Sequence, residues 1–206
     1  PHVFRIKHSR NNPSHISLKL YELGCRAVNS AGFLAVAAPV LRALAAEAYE
    51  AIHFVLREEN SVVYLYKEEP VQSGIHMASH IGLRNPMYCT GVGKAILAFL
   101  PEAEKRLIVE NTVYEMFTPH TLHTPQALLA DLELIRNRGY AFDEEEHELG
   151  ISCIAAPIKN KQGIAYAAIS ISAPTSRLEY EKKLLLAKKI CVAAERISEL
   201  LNGSRG

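Results

Sequence analysis

The sequence contains no tryptophan, four cysteines and almost no net charge. The cysteines, at positions 25, 89, 153 and 191, form no C-x-x-C pair, so they fit neither a disulfide framework nor a structural zinc site. A formal charge of +1 creates no positive field for a nucleic-acid backbone or an anionic membrane. The longest apolar runs, such as Ala35 to Leu41, fall well short of the roughly 20 residues of a bilayer span. We therefore expect a chain from a reducing, cytoplasmic setting that by itself binds neither DNA nor a membrane.

Cofactor and metal motifs are also absent from the sequence. None of the nine histidines belongs to an H-E-x-x-H pair. The strand-turn-helix alternation of a dinucleotide-binding Rossmann unit does not occur, and the segment from Cys89 to Ala95 lacks the spacing of a phosphate-binding Walker loop. We expect no cofactor and no metal.

The composition is that of a globular protein, with 49% hydrophobic and 22% charged residues in 206. Residues 1–15 show no periodicity and are interpreted as a tail or a cloning remnant. Apolar residues at helical spacing then predict two linker helices within residues 16–50, with Pro39 marking a kink or a fresh start. Residues 51–201 are predicted to form the main domain, and 202–206 a second tail.

The main domain has strands that come in hairpins. Runs at 52–56 and 62–66 are joined by a polar segment of hairpin length, a third run is predicted at 75–80, and runs at 151–158 and 164–172 form a second hairpin. Helices are predicted from Gly93 to Leu100, after Pro101, from Thr124 to Gly139, and over the C-terminal stripe from Leu184 to Leu201. Antiparallel hairpins with helices between and around them indicate an α+β fold.

Strand periodicity separates two faces in the second hairpin. Ile169 and Ile171 fall on one face, while Ser170 and Ser172 fall on the other, where Cys153 also lies. The small, partly polar face is suited either to gripping a ligand through its hydroxyl groups or to ordinary exposure to solvent.

Two further segments have more than one interpretation. Gly91 and Gly93 at the start of an apolar helix leave amides free for an anion, or else they simply permit a tight turn and close packing. The acidic run from Asp143 to Glu148 is predicted to be a solvated loop at Glu144, Glu145 and Glu146, with Asp143 or Glu148 able to turn inward.

An enzyme would need an activated nucleophile. Cys153 follows His147 by six residues, which raises the alternative of a cysteine-dependent hydrolase or transferase. Nothing in the sequence brings the imidazole to the sulfur, so a thiol that merely lines a pocket is the favoured interpretation.

Four segments taken together resemble the C-terminal effector-binding domain of the IclR family of bacterial transcriptional regulators. They are PMYCTGVGKAILA at 86–98, GYAFDEEE at 139–146, GISCIAAPI at 150–158 and AISIS at 168–172, in matching order and spacing over residues 16–201. The segments at 61–67 and 81–86 look most like the branch that controls sugar-acid breakdown. Residues 18–24 resemble the start of the family's linker helix.

The resemblance implies a GAF/PAS-like fold, in which a curved antiparallel sheet of about six strands carries helices on its convex side and a ligand pocket on its concave side. It also implies a homodimer or homotetramer, and DNA binding only through an N-terminal winged helix-turn-helix that these residues do not include. Carried over position by position, the pocket residues are Met77, Gly91, Val92, Asp143, Ile151, Cys153, Ser170 and Ser172.

The resemblance also suggests roles for these residues. Amides near Gly91 and Val92 are expected to hold a ligand carboxylate, the serines to donate hydroxyl groups, and Asp143 to accept from ligand hydroxyls. No pocket arginine is assigned. We therefore expect a non-enzymatic, oligomerising sensor of a small carboxylate, a 2-oxo acid or a sugar acid; a purely structural dimerisation module is the third possibility.

Overall fold

The computed structural model describes residues 5–6, 15–16, 18–30, 32–70 and 78–203. Its strands are β1 (Arg5–Ile6), β2 (His15–Ile16), β3 (Ala51–Glu58), β4 (Ser61–Glu68), β5 (Arg84–Pro86), β6 (Ala141–Glu144), β7 (Ile151–Lys159) and β8 (Ala165–Pro174). Its α-helices are α1 (Leu18–Ser30), α2 (Phe33–Ala48), α3 (Gly91–Leu97), α4 (Glu102–Asn111), α5 (Pro125–Arg138) and α6 (Tyr180–Gly203).

Six of these strands form one antiparallel sheet in the order β5-β4-β3-β8-β7-β6. The predicted hairpins β3–β4 and β7–β8 are both present, and β3 pairs with β8 at the centre, which joins the two halves of the chain. Strands β1 and β2 pair separately. The α+β fold with a curved antiparallel sheet of about six strands is confirmed.

The two faces of the sheet carry different cores. Ile169, Ile171 and their neighbours pack under α2 and α6, as period-two alternation predicts. The opposite face packs against α3, α4 and α5, and it leaves a cavity over the middle of the sheet. α3 is held close to the sheet because a side chain at Gly93 would place its Cβ 2.3 Å from the Met87 backbone. The close-packing interpretation of Gly93 is therefore correct.

Several element boundaries differ from the predictions. The break between the first two helices lies at Gly32, whose φ of 66° favours glycine, and α2 continues through Pro39. The helix predicted from Gly93 begins two residues earlier, because Thr90 caps it by accepting a hydrogen bond from the Gly93 amide, and it ends at Leu97. The buried residues of α2 include Ala37 and Leu41, whereas Leu20 and Leu23 of α1 are exposed.

The third strand predicted from the sequence, at 75–80, is wrong for the part that the structure describes. Residues 78–80 are not a strand, and residues 75–77 lie outside the described residues. The strand that completes this edge is instead β5. The sequence does not predict it, because two of its three residues are asparagine and proline, which are uncommon in strands. Strand β6, within the segment treated as part of an acidic loop, was not predicted from the pattern either. The proposed limits of the linker helices and the main domain stay predictions.

Within these described ranges, none of the helices combines the length and the hydropathy needed to cross a bilayer.

Candidate functional site

Seven of the eight residues singled out from the sequence line one cavity of about 230 Å³ on the α3 side of the sheet. These are Gly91, Val92, Asp143, Ile151, Cys153, Ser170 and Ser172. The eighth, Met77, lies outside the described residues. Segments that are far apart in the chain therefore meet at a single place.

Strand register explains this convergence. Asp143 of β6 is paired with Cys153 of β7, and Cys153 is paired with Ser172 of β8, so the three side chains form one row across three strands. Ser170 lies two residues away on β8 and is paired with His53 of β3. Since the pleat sends all of these side chains to the same face, the row forms the floor of the cavity.

The serines are buried rather than exposed to solvent. Ser170 and Ser172 are each 3% exposed, which rules out the interpretation of their face as an ordinary solvated surface. Their hydroxyl oxygens lie 3.4 Å apart, and the Ser172 oxygen lies 3.0 Å from the Cys153 sulfur. Buried hydroxyl groups need hydrogen-bond partners, and here they find them in one another and in a histidine.

That histidine, His53, was not predicted from the sequence. Its Nδ1 lies 3.2 Å from the Ser170 oxygen and 3.3 Å from the Ser172 oxygen, and its Nε2 lies 2.9 Å from the Ser79 oxygen. The Tyr64 ring meets the imidazole edge-on at 5.3 Å between ring centroids. Burial, assisted by the positive charge of Lys67, lowers the pKa of His53 to about 4, so the ring is neutral at pH 7. Alternation along β3 predicts that His53 lies on the face of the sheet opposite Ile52 and Phe54. Its pairing with Ser170 could not be predicted, because it depends on how distant strands pair in the tertiary structure.

Asp143 has turned inward, as one of the two alternatives proposed. It is 5% exposed, and its carboxyl group accepts a hydrogen bond from the Glu146 amide at 2.8 Å. Burial and the neighbouring Glu146 carboxylate raise the pKa of Asp143 to about 7, against the opposing effect of Lys94. The Gly91 amide, expected to bind a ligand carboxylate, acts on the Asp143 carboxyl group and opposes the rise in its pKa.

Gly91 is required at the start of α3 for a steric reason as well. A Cβ there would lie 3.4 Å from the Cβ atoms of Asp143 and Cys153 and 3.5 Å from that of Ala155. The absence of a side chain lets the helix start sit directly over the row of side chains on the floor.

The prediction of a solvated loop is wrong for Glu146. Its side chain is buried and pairs with the buried ammonium group of Lys94, which also donates to the Asp131 carboxylate at 2.7 Å. Burial lowers the pKa of Lys94, but its two carboxylate partners outweigh this and raise it. Sequence reasoning missed the pairing because the partners are 52 residues apart. Glu144 is exposed, in agreement with the prediction, and forms an ion pair with Lys183.

The cysteine–histidine enzyme is not supported. Burial raises the pKa of the Cys153 thiol, with a further increase from Asp143, whereas a nucleophile needs a lowered one. His147 lines the cavity, but its ring stacks on Phe117 at 4.9 Å and its pKa is lowered by burial. Among the described residues, no group of three or more His, Cys, Asp or Glu side chains is arranged to hold a metal ion.

The remaining wall of the cavity joins polar and apolar side chains that the sequence did not single out. They come from the segment after residue 77, from β5 and from the cap of α3, and include Ala78, Ser79, Leu83, Asn85 and Thr90. Glu148, the other residue expected to turn inward, lies at the exposed rim of the cavity.

Comparisons with known proteins identify the family of the chain. The family model described as "Bacterial transcriptional regulator IclR C-terminal" matches residues 25–199. The HTH-type transcriptional regulator KdgR of Escherichia coli K12 is 37% identical over 183 residues, which are 89% of this chain and 69% of that protein.

Two crystal structures are similar in fold. The Thermotoga maritima IclR superposes with a TM-score of 0.86 at 33% identity, covering 97% of this chain and 80% of that one. A double mutant of the inducer binding domain of PobR from Acinetobacter, in complex with 3-hydroxybenzoic acid, gives a TM-score of 0.72 at 26% identity over 79% of this chain and 95% of that one.

These relatives are transcriptional regulators, which confirms the non-enzymatic prediction. Since the family model covers most of the chain, the protein belongs to the IclR family of bacterial transcriptional regulators, and these residues include its C-terminal, effector-binding domain.

Proposed function

We propose that the domain is a cytoplasmic sensor that binds a small carboxylate metabolite, a 2-oxo acid or a sugar acid, in the cavity over β6, β7 and β8. Its oligomer, a dimer or tetramer, transmits binding to a winged helix-turn-helix domain on the N-terminal side, which contacts DNA. The observation that carries this proposal is the convergence of Asp143, Ser170 and Ser172 on one cavity of about 230 Å³.

The size and chemistry of the cavity suit a small polar ligand. Hydroxyl groups on the floor can donate to or accept from the ligand, and Val92 and Ile151 contribute apolar walls. The PobR inducer binding domain, a structural relative, is seen with 3-hydroxybenzoic acid, which is itself a small carboxylic acid. The partial coverage of KdgR and of the Thermotoga IclR supports a further domain beside the sensor.

Binding controls DNA contact only if the ligand prefers one subunit arrangement over another. In this proposal, closing the cavity around a ligand shifts the β6–β7 loop. That loop is tied to the segment before α6, because the Gly150 carbonyl accepts a hydrogen bond from the Thr175 amide. A change at the cavity thereby reaches a long helix on the opposite face of the sheet.

A thermal-shift screen with pyruvate, glyoxylate, D-gluconate, D-galacturonate and 3-hydroxybenzoate tests the proposal. A ligand at 100 times its dissociation constant adds about 2.7 kcal/mol to the free energy of unfolding. For a domain of this size that raises Tm by about 5–10 °C. A folded protein whose Tm is unmoved by every one of these acids would contradict the carboxylate assignment.

Serine variants test whether ligand binding can be lost while the oligomer stays intact. Replacing Ser170 and Ser172 together by alanine is expected to abolish the Tm response and leave the oligomeric state, measured by light scattering, unchanged. The matched control is Ser198→Ala, which removes a buried hydroxyl that donates to the Ala194 carbonyl in α6, outside the cavity. A retained response in the double variant would refute the assigned site.

A further inference from the structure

The charged side chains that line the cavity are carboxylates. Asp143 lies on the floor and Glu148 at the exposed rim, and none of the lining residues that the structure describes is a lysine or an arginine. The sequence of residues 71–77, outside the described ranges, contains neither residue type. A carboxylate ligand therefore enters a site whose fixed charge has the same sign as its own.

The nearest buried cation is committed to other groups. Lys94 does not line the cavity, and its ammonium group is bound by Glu146 and Asp131. Moving it toward a ligand would leave the buried Glu146 carboxylate without its partner, which is strongly unfavourable. One Glu146 oxygen, Oε2, is already buried without a hydrogen-bond partner among the described residues.

The neutral hydroxyl donors that line the cavity compensate only in part for the missing positive charge. Ser79, Ser170 and Ser172 contact a neutral imidazole, so the hydroxyl that gives its proton to His53 presents only lone pairs to a ligand. Burying a charge without a paired counter-charge is expensive even where hydrogen bonds are available. Another source of positive charge is needed, and a proton from solvent is one.

We propose that an acidic effector binds together with one proton, which is held on the Asp143 carboxyl group and shared with the carboxylate of the effector. The inference rests on the proposed function and specifies how that site accepts an anion. The Asp143 carboxylate takes one proton from solvent, no covalent bond of the effector breaks, and the site and the bound acid together keep a single negative charge. The protonated Asp143 then donates a hydrogen bond to the effector.

The surroundings of Asp143 favour this step. Two carboxyl groups that share one buried space cannot both ionise without a large penalty, so one of them retains a proton. The pKa of Asp143 is already raised to about 7 by burial and by Glu146, and a second anion in contact with it raises this pKa further. The empty site is therefore half-protonated near pH 7, and the cost of completing its protonation is small there.

Other titratable groups face Asp143 from each element packed on it. Lys94 of α3 lowers its pKa, Glu146 of the β6–β7 loop raises it, and the neutral groups around it are Cys89 before α3, Cys153 of β7 and Tyr64 of β4. His53 of β3, His147 and Glu148 line the same cavity. Burial raises the pKa of both thiols and of the phenol, so these three groups stay neutral across the physiological range.

Isothermal titration calorimetry of the 206-residue chain tests the proposal, with 3-hydroxybenzoate, D-gluconate and pyruvate as probes. Each titration is run in two buffers of different ionisation enthalpy, because the difference in heat counts the protons taken up. We expect uptake of about one proton at pH 8.5, about half a proton at pH 7 and almost none at pH 5.5. The Kd is expected to rise about tenfold per pH unit above pH 7.

Variants and a neutral ligand locate the proton. Asp143→Asn keeps a donor at this position without a charge, so its Kd is expected to be independent of pH and about tenfold lower than that of the wild type at pH 8. Glu133→Gln, which removes an exposed carboxylate of α5 outside the cavity, is the control and is expected to retain the proton uptake. 3-Hydroxybenzamide, which is uncharged, is expected to bind with no proton uptake.

The outcomes are distinguishable. Binding of the acids without proton uptake, or uptake that persists in Asp143→Asn, would overturn this inference and leave the proposed function intact. If no probe binds even at pH 5.5, where Asp143 is already protonated, the carboxylate sensor itself is wrong, and the inference fails with it.

Discussion

Asp143 and His53 are predicted to change the pH dependence of folding in opposite directions. Folding raises the pKa of Asp143 from 3.8 to about 7, so the folded state binds more protons than the unfolded state between these values, and stability from this group is lost as pH rises. Folding lowers the pKa of His53 from 6.5 to about 4, so stability from this group is lost as pH falls. Between about pH 4 and 6.5 the two effects cancel in the wild type.

The magnitudes follow from the proton linkage. One proton corresponds to about 1.4 kcal/mol per pH unit. For Asp143→Asn, the free energy of unfolding relative to wild type is expected to rise by about 4 kcal/mol between pH 4 and 7. For His53→Gln, the same difference is expected to fall by about 3 kcal/mol between pH 4 and 6.5. A constant offset from altered hydrogen bonding changes neither slope.

Urea unfolding followed by circular dichroism, at steps of about half a pH unit and one protein concentration, measures both slopes. Glu148→Gln provides the control, because it removes an exposed carboxylate at the rim and leaves Asp143 and His53 in place. If the free energies of unfolding of Asp143→Asn and His53→Gln depend on pH as that of the wild type does, the opposite pKa shifts of these two buried groups are refuted. Slopes of the reverse sign would refute them as well.

Three further outcomes can be checked with standard assays. Gly93→Ala is expected to destabilise the fold by about 2–3 kcal/mol in urea, because its Cβ would lie 2.3 Å from the Met87 backbone, whereas Gly24→Ala, with nothing within 4 Å, should cost nothing; equal effects would contradict the close approach of α3. Lys94→Met is expected to cost about 3–5 kcal/mol by leaving carboxylates unpaired, and a loss below about 1 kcal/mol would show that the ion cluster is solvated. The Cys153 thiol is expected to react with iodoacetamide at pH 7.5 more than tenfold more slowly than free cysteine, as followed by peptide mass spectrometry; rapid alkylation would revive a nucleophilic role.

Local patterns were sufficient to place the serines of the site. Alternation along β8 puts Ser170 and Ser172 opposite Ile169 and Ile171 whatever the strand pairs with, since it depends only on the pleat. The structure has this arrangement, with the isoleucines in the core under α2 and α6 and the serines in the cavity. The family resemblance added Met77, Gly91, Val92, Asp143 and Ile151, and all of these except Met77, outside the described residues, lie in the same cavity.

Interactions between distant segments could not be predicted in the same way. His53 occupies an unremarkable position in an apolar strand, and only the pairing of β3 with β8 brings it to Ser170. The burial of Glu146 depends on Lys94, 52 residues earlier, so an acidic run that is usually solvated contains one residue of a buried ion cluster. Each of these contacts is a consequence of packing rather than of local preference.

The sequence by itself determined the α+β class of fold and the two faces of the central strands, because periodicity and residue type act over short stretches of chain. The family followed from the resemblance of four segments to known regulators. The tertiary structure decided the protonation states and the ion pairs of the charged groups at the site. Burial makes His53 neutral and brings Asp143 close to half-protonation at pH 7, and it commits Lys94 to its own carboxylates. Desolvation depends on what surrounds a group in space, and those surroundings exist only once the sheet and its helices have assembled.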